Sequence, residues 1–130
     1  MGRVSVLIVD DDSSICEALS DVLELKGGYA TDTAETAQAA LGKAREKSFN
    51  VALLDLTLPD MQGVELLRQL KRLHPKMELI VLSGQTSVEK AEEAVREGAF
   101  ACLVKPSSPS EVMTAIEGAL ERQQTLLGKG

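Results

Sequence analysis

Short apolar runs alternate with segments of helical periodicity five times along the chain, and this alternation constrains the fold more than any other feature. The runs occupy residues 4–9, 29–31, 51–54, 79–82 and 101–104. Runs that are apolar at nearly every position are typical of strands buried on both faces of a sheet. Because helices must then cover both faces, and crossovers between parallel strands are right-handed, the pattern predicts one doubly wound α/β domain with a five-stranded parallel sheet.

Capping residues predict where the helices begin. Asp12 follows the first strand and is expected to cap the first helix. A capping residue with a glutamate three positions later also predicts helix starts at four places, which are Ser14, Asp32, Thr86 and Ser108. We expect the folded domain to cover residues 1–122, and residues 123–130 to form a frayed tail or the start of a linker.

Charge and hydropathy argue against several classes of protein. The chain of 130 residues has 20 acidic and 14 basic side chains, so its net charge of −6 disfavours direct binding to nucleic acid phosphates. No apolar run is long enough to span a membrane, and the first residues lack the pattern of a secretory signal. We therefore expect a cytoplasmic domain with no membrane partner, in which Cys16 and Cys102 are buried thiols.

Polar side chains follow four of the predicted strands. Asp10 and Asp11 follow the first strand, Asp55 the third, Ser83 the fourth and Lys105 the fifth. In open parallel sheets, ligands bind at the carboxyl ends of the strands, so these groups should share one crevice. The carboxylates would repel one another unless a cation lay among them, and an oxygen-only ligand set suits Mg²⁺, with Mn²⁺ as a substitute. A carboxylate can also attack phosphorus, which suggests phosphoryl transfer to an aspartate.

Four segments taken in order resemble the receiver domain of two-component response regulators. They are VLIVDDD at 6–12, LLDLTLPDMQG at 53–63, IVLSG at 80–84, and GAF at 98–100 with LVKP at 103–106. The resemblance covers nearly the whole chain and implies a flavodoxin-like sheet with strand order 2-1-3-4-5. It also implies a cis peptide bond between Lys105 and Pro106.

The resemblance further implies a role for each polar residue. Asp55 would accept the phosphoryl group, Asp10 and Asp11 would bind the metal with Asp55, and the backbone carbonyl of Thr57 would complete the ligand set. Ser83 would be the hydroxyl of the switch, and Lys105 would pair with the phosphoryl group. Thr57 and Gln85 stand where this family tunes the lifetime of the acyl phosphate. Cys102 stands where the family often has a Tyr or Phe that rotates on activation.

The same resemblance implies the partners. The phosphodonor would be a sensor histidine kinase or a histidine phosphotransfer protein, since the only histidine, His74, lies at a predicted helix end next to a proline. The output would be a protein contact through the fourth helix, fifth strand and fifth helix, and a homodimer is compatible with this arrangement. The domain would catalyse only its own phosphorylation and dephosphorylation, so we do not expect an enzyme.

Three alternative functions remain open at this stage. A Mg²⁺-dependent phosphotransferase or phosphatase of the haloacid dehalogenase type would have a second Asp two residues after the nucleophile, where this chain has Thr57. A flavin-binding protein of the same fold would need a phosphate-binding loop after the first strand, where three aspartates stand instead. A docking module that works without phosphorylation is disfavoured by the complete set of acidic residues.

Overall fold

The computed structural model describes residues 3–84 and 88–129. Its five strands are β1 (Ser5–Val9), β2 (Ala30–Ala34), β3 (Val51–Asp55), β4 (Glu78–Ser83) and β5 (Ala101–Val104). They form one parallel sheet, as the sequence predicted, and its order β2-β1-β3-β4-β5 is the one that the resemblance implied. The order reverses direction at β1, which lies between β2 and β3, so the carboxyl ends of β1 and β3 meet at the switch point of the sheet.

Five helices connect and cover the strands. They are α1 (Ser13–Gly27), α2 (Ala37–Glu46), α3 (Gly63–Leu73), α4 (Val88–Arg96) and α5 (Pro109–Lys129). One apolar cluster joins one face of the sheet to α2, α3 and α4, and a second joins the opposite face to α1 and α5. The central strands β1, β3 and β4 are buried almost throughout, because helices pack on both sides of them.

The predicted caps at Asp12 and Ser108 are confirmed, whereas the predicted helix start at Ser14 is wrong. Asp12 caps α1 and accepts from the amides of Ser14 and Ile15, so Ser14 lies inside the helix and does not cap it. The side chain of Ser108 accepts from the amide of Glu111, and that of Glu111 accepts from the amide of Ser108, which is the predicted capping box. The predicted start at Thr86 lies outside the described residues.

The predicted helix start at Asp32 is wrong. Asp32 belongs to β2, where its carboxylate forms ion pairs with Lys43 at 2.6 Å and Lys47 at 3.4 Å. The N-cap of α2 is Thr36, whose hydroxyl accepts from the amide of Ala39 at 3.0 Å. The prediction was wrong because β2 is half-buried and has three consecutive polar side chains, at 31–33, which resemble a helix start.

The C-terminal helix extends further than the sequence suggested. Residue 123 was expected to begin a frayed tail, but α5 continues to Lys129, and Gln123 is buried. Its amide donates to the backbone carbonyls of Asn50 at 2.9 Å and Lys76 at 2.8 Å, and the preceding Arg122 pairs with the buried Glu78. The boundary at residue 122 stays a prediction. In the described parts of the chain, no helix combines the length and the apolar character that a membrane span requires.

Candidate functional site

The sheet brings four of the predicted polar residues to one edge. Asp10 and Lys105 come directly after β1 and β5, while Asp55 and Ser83 are the last residues of β3 and β4. Asp10, Asp55 and Ser83 are 1%, 6% and 2% exposed. Burying three polar groups at the ends of adjacent apolar strands costs free energy unless each group has a hydrogen-bond partner. The partners of these groups therefore indicate the chemistry of the site.

Lys105 joins the two buried carboxylates. Its ammonium donates to Oδ2 of Asp10 at 2.7 Å and to Oδ2 of Asp55 at 3.1 Å. Burial lowers the pKa of Lys105, but the hydrogen bonds and negative charges of the two aspartates outweigh it, so the pKa lies above its ordinary value. The ammonium therefore stays charged at neutral pH. The peptide bond that follows it, to Pro106, is cis.

The second oxygen of each buried carboxylate is held by a backbone amide. Oδ1 of Asp10 accepts from the amide of Asp12, and Oδ1 of Asp55 accepts from the amide of Thr57, both at 2.9 Å. Each carboxylate is therefore fixed at both oxygens in one orientation. Such preorganised groups are typical of sites that position a ligand or a reacting atom.

Asp11 completes a group of three carboxylates. One oxygen from each of Asp10, Asp11 and Asp55 lies within 4.8 Å of the others, and Asp11 is exposed. Three carboxylates against one ammonium leave this edge with an excess of negative charge. Hard oxygen ligands, one of them open to solvent, fit Mg²⁺, which keeps several waters and takes few carboxylates from the protein.

The loop after Asp55 is closed at its base. Thr57 and Gln62 form an antiparallel bridge, and the amide of Gly63 donates to the carbonyl of Leu56 at 3.1 Å. A Cβ at position 63 would lie 2.5 Å from the Cα of Leu56, so this close approach requires a glycine. The side chain of Thr57 is exposed, so its backbone, and not its hydroxyl, is fixed next to Asp55.

Ser83 and Cys102 are neighbours. The hydroxyl of Ser83 lies 3.6 Å from the thiol of Cys102, which is half-buried and packs against the apolar cluster under α2, α3 and α4. The expectation of a fully buried thiol is therefore wrong for Cys102. It is confirmed for Cys16, where burial, with a smaller contribution from the charge of Asp10, raises the thiol pKa to about 11. Gln85 lies outside the described residues.

Sequence reasoning missed one residue near this site. The carboxylate of Asp60, in the loop after β3, accepts from the amides of Ala37 and Gln38 at the start of α2. The only sequence signal is indirect: the first turn of α2 has no acidic residue of its own, although helix starts favour negative charge. That signal does not say which distant segment supplies the charge.

The fold and the site together define a class: a doubly wound parallel α/β domain with a cluster of acidic side chains at its switch point. The family model described as "Response regulator receiver domain" matches residues 6–117. The chain belongs to this family, whose members act in two-component signal transduction. Receiver domains bind Mg²⁺ at an acidic pocket and are phosphorylated by histidine kinases.

Several relatives are bacterial regulators. The transcriptional regulatory protein ZraR of Salmonella typhimurium is 34% identical over 119 residues, which are 92% of this chain and 27% of that protein. The response regulator protein FleR of Pseudomonas aeruginosa is 37% identical over 101 residues, which are 78% of this chain and 21% of FleR. The chain thus spans about a quarter of the length of the curated relatives it matches.

Solved structures agree with this placement. A CheY-like response regulator receiver domain protein from Methanospirillum hungatei has a TM-score of 0.90 at 36% identity, covering 95% of this chain and 98% of its own. The chemotaxis response regulator CheY4 of Vibrio cholerae has a TM-score of 0.83 at 31% identity, covering 92% of this chain and all of its own. These likenesses extend over the whole strand order and not over a local motif alone.

Proposed function

We propose that this domain is a phosphorylation-controlled switch in which Asp55 accepts a phosphoryl group from a phosphohistidine. The donor would be carried by a sensor histidine kinase or a histidine phosphotransfer protein. The observation that carries the proposal is the arrangement around Asp55: a buried carboxylate fixed by Lys105 and the Thr57 amide, with Asp10 and Asp11 beside it.

An oxygen of Asp55 would attack phosphorus and form a new P–O bond. The P–N bond to the donor imidazole breaks, and its electron pair returns to the ring nitrogen, which takes up a proton. Asp10, Asp11, Asp55 and the Thr57 carbonyl would hold Mg²⁺, or Mn²⁺ in its place, and the bound ion would supply positive charge for the phosphoryl oxygens. The Lys105 ammonium, already 3.1 Å from Asp55, would add a second positive charge.

Switching would begin with Ser83. Its hydroxyl is buried and has only a long contact to the Cys102 thiol, at 3.6 Å, among the hydrogen bonds of the described residues. A phosphoryl oxygen on Asp55 would be a better acceptor, so phosphorylation would favour the conformation in which Ser83 moves toward it. We propose that Gln85 and Thr57 tune the lifetime of the phosphoryl group, and that Cys102 follows the movement less than an aromatic ring would.

The output is proposed to be a protein contact on the surface formed by α4, β5 and α5. Val95 on α4 and Val104 on β5 are 48% and 51% exposed, and among the described residues they share such exposure with two other large aliphatic side chains, Leu25 and Leu73. Such a surface suits a protein partner or a second copy of the chain better than a nucleic acid, given the net charge of −6. A cytoplasmic location is part of the same proposal.

An enzyme that turns over phosphate esters is the weaker alternative. In an enzyme of the haloacid dehalogenase type, a second Asp two residues after the nucleophile would activate water, and here that position, Thr57, presents its backbone amide to Asp55 and its side chain to solvent. Without that group, hydrolysis of the phosphorylated aspartate should be slow. A long-lived modified state is what a switch requires.

The test is phosphorylation by a small donor. Incubation with acetyl phosphate and Mg²⁺ should add one phosphoryl group by intact mass, and Asp55→Asn should abolish the adduct while leaving the fold intact by circular dichroism. Asp32→Asn is the matched control, because Asp32 is a partly buried, ion-paired carboxylate outside the site. Equal adducts in the parent and Asp55→Asn would refute the assignment, and no adduct in the parent would favour a docking module.

A further inference from the structure

The N-terminus of α2 is capped by a residue from the loop next to the phosphoacceptor. Oδ1 of Asp60 accepts from the amide of Ala37 at 2.8 Å, and Oδ2 accepts from the amide of Gln38 at 3.0 Å. The backbone hydrogen bonds from Ala37 and Gln38 lower the pKa of Asp60 below its ordinary value. Asp60 is therefore ionised at neutral pH and binds both amides as a carboxylate.

Two residues accept hydrogen bonds from the free amides at the start of α2. Asp60 takes the first two, while Thr36 takes the third, from Ala39 at 3.0 Å. Thr36 belongs to the chain entering α2, whereas Asp60 comes from a loop and lies 24 residues after Thr36. One local cap is the usual arrangement at a helix start, so α2 does not depend on a second cap from a distant segment. The hydrogen bonds to Asp60 also restrain the loop that carries it.

The loop that carries Asp60, residues 56–62, sets the orientation of the backbone at Thr57. The peptide unit between Leu56 and Thr57 is fixed at both ends, because its carbonyl accepts from Gly63 and its amide donates to Asp55. Because a peptide unit is planar, these two bonds set its orientation. The next carbonyl, that of Thr57, lies between this fixed unit and the tip of the loop, and Asp60 is the residue that attaches the tip to α2.

The attachment point is rigid. α2 buries Ala37, Ala40, Leu41 and Ala44 against the sheet, so its first turn is held by the core. Asp60 itself is exposed, and its two bonds are the contacts that tie the tip of the loop to this helix among the described hydrogen bonds. Removing them would loosen the tip at Asp60, while Leu58 and Met61 still pack against the apolar cluster and the bridge between Thr57 and Gln62 still closes the base.

We propose that Asp60 is a positioning residue for the metal site: by fixing the loop to α2, it holds the Thr57 carbonyl where a divalent cation needs it. This inference rests on the proposed function, since it assumes that the Thr57 carbonyl is a metal ligand. Residues that orient a ligand without touching the metal commonly change affinity by about tenfold or more when they are removed.

The experiment compares two caps of the same helix. Asp60→Ala removes the cap that also fixes the loop, and Thr36→Ala removes the cap that does not. Binding of Mn²⁺ alone is followed by electron paramagnetic resonance, with Mg²⁺ as competitor, and amide hydrogen exchange is measured in the metal-free protein. Thermal melts of both variants verify that each is folded.

Asp60→Ala should weaken Mn²⁺ binding about tenfold and speed exchange at the Thr57 and Gly63 amides. Thr36→Ala should leave Mn²⁺ binding and both of these amides unchanged and speed exchange at Ala39 only. Asp60→Asn keeps a carbonyl acceptor and should restore binding to within about twofold of the parent.

Equal Mn²⁺ affinities in Asp60→Ala and Thr36→Ala would overturn the inference, and so would unchanged exchange at Thr57 in Asp60→Ala. Failure of the proposed function looks different, because the parent itself would then bind no Mn²⁺ at this site and accept no phosphoryl group from acetyl phosphate. The two failures are therefore distinguished by the parent protein alone.

Discussion

Without metal, the Asp11→Asn variant should be more stable than the parent domain. With Mg²⁺ present, the variant should be the less stable of the two. In the structure, an oxygen of Asp11 lies within 4.8 Å of an oxygen of Asp10 and of Asp55. At that distance two unit charges in water repel by about 0.9 kcal/mol. Two such repulsions, reduced by attraction to Lys105 and by salt, leave a net gain of about 0.5 to 1 kcal/mol for Asp11→Asn.

Mg²⁺ reverses the order of stability of the parent and the variant. At a Mg²⁺ concentration 100 times the parent's Kd, binding adds about 2.7 kcal/mol to the free energy of unfolding. If the loss of one carboxylate weakens binding tenfold, the same concentration adds only about 1.4 kcal/mol to the variant. The difference of about 1.3 kcal/mol exceeds the gain from relieved repulsion, so the parent becomes the more stable protein.

The assay is a thermal melt with and without Mg²⁺. Without metal, the Tm of Asp11→Asn should exceed that of the parent by about 3 °C, and 0.5 M KCl should reduce this difference by screening. Asp12→Asn is the control, because it neutralises the adjacent carboxylate, keeps an N-cap side chain and lies outside the group of three carboxylates. A metal-free Asp11→Asn less stable than the parent, or an equal change in Asp12→Asn, would refute the reasoning.

Two further predictions concern the centre of the site and its switch. Lys105→Met should lower the free energy of unfolding of the metal-free domain by about 2 kcal/mol, because it leaves two buried carboxylates without their ammonium, and the lysine is 27% exposed. Because the folded pKa of Lys105 is raised, this stabilisation is complete below its unfolded pKa of 10.5 and is lost only as pH rises through the folded value. Urea melts of the variant at pH 7 and pH 9 should therefore show the same loss in the free energy of unfolding. A loss that vanishes at pH 9 would contradict the pairing. Beryllofluoride with Mg²⁺ should shift the backbone amides of Gly84 and residues 88–90 more than those of residues 101–104, because the thiol of Cys102 is smaller than an aromatic ring. Larger shifts centred on Cys102, measured by NMR, would show that β5 carries the signal instead.

The strands and the polar residues at their ends could be predicted from the sequence because both are local signals. An apolar run buried on both faces is visible in four to six consecutive residues, and Asp55 or Lys105 is visible as the charge that ends such a run. The strand order could not be worked out from these signals and came from the resemblance to the receiver family. That order is what places β1 between β2 and β3 and so brings Asp10 beside Asp55.

The contacts that fix the site were decided by the tertiary structure. Lys105 meets Asp10 across 95 positions of the chain, and Asp60 meets Ala37 across 23. The same holds for Gln123, which bonds to Asn50 across 73 positions, in a part of α5 where the sequence suggested a tail. Polar side chains carry no periodic signal that names a distant partner, because a carboxylate or amide is satisfied equally well by water until folding brings a donor to it. The sequence therefore determined which groups reach the edge of the sheet, and only packing determined which of them hold one another in place.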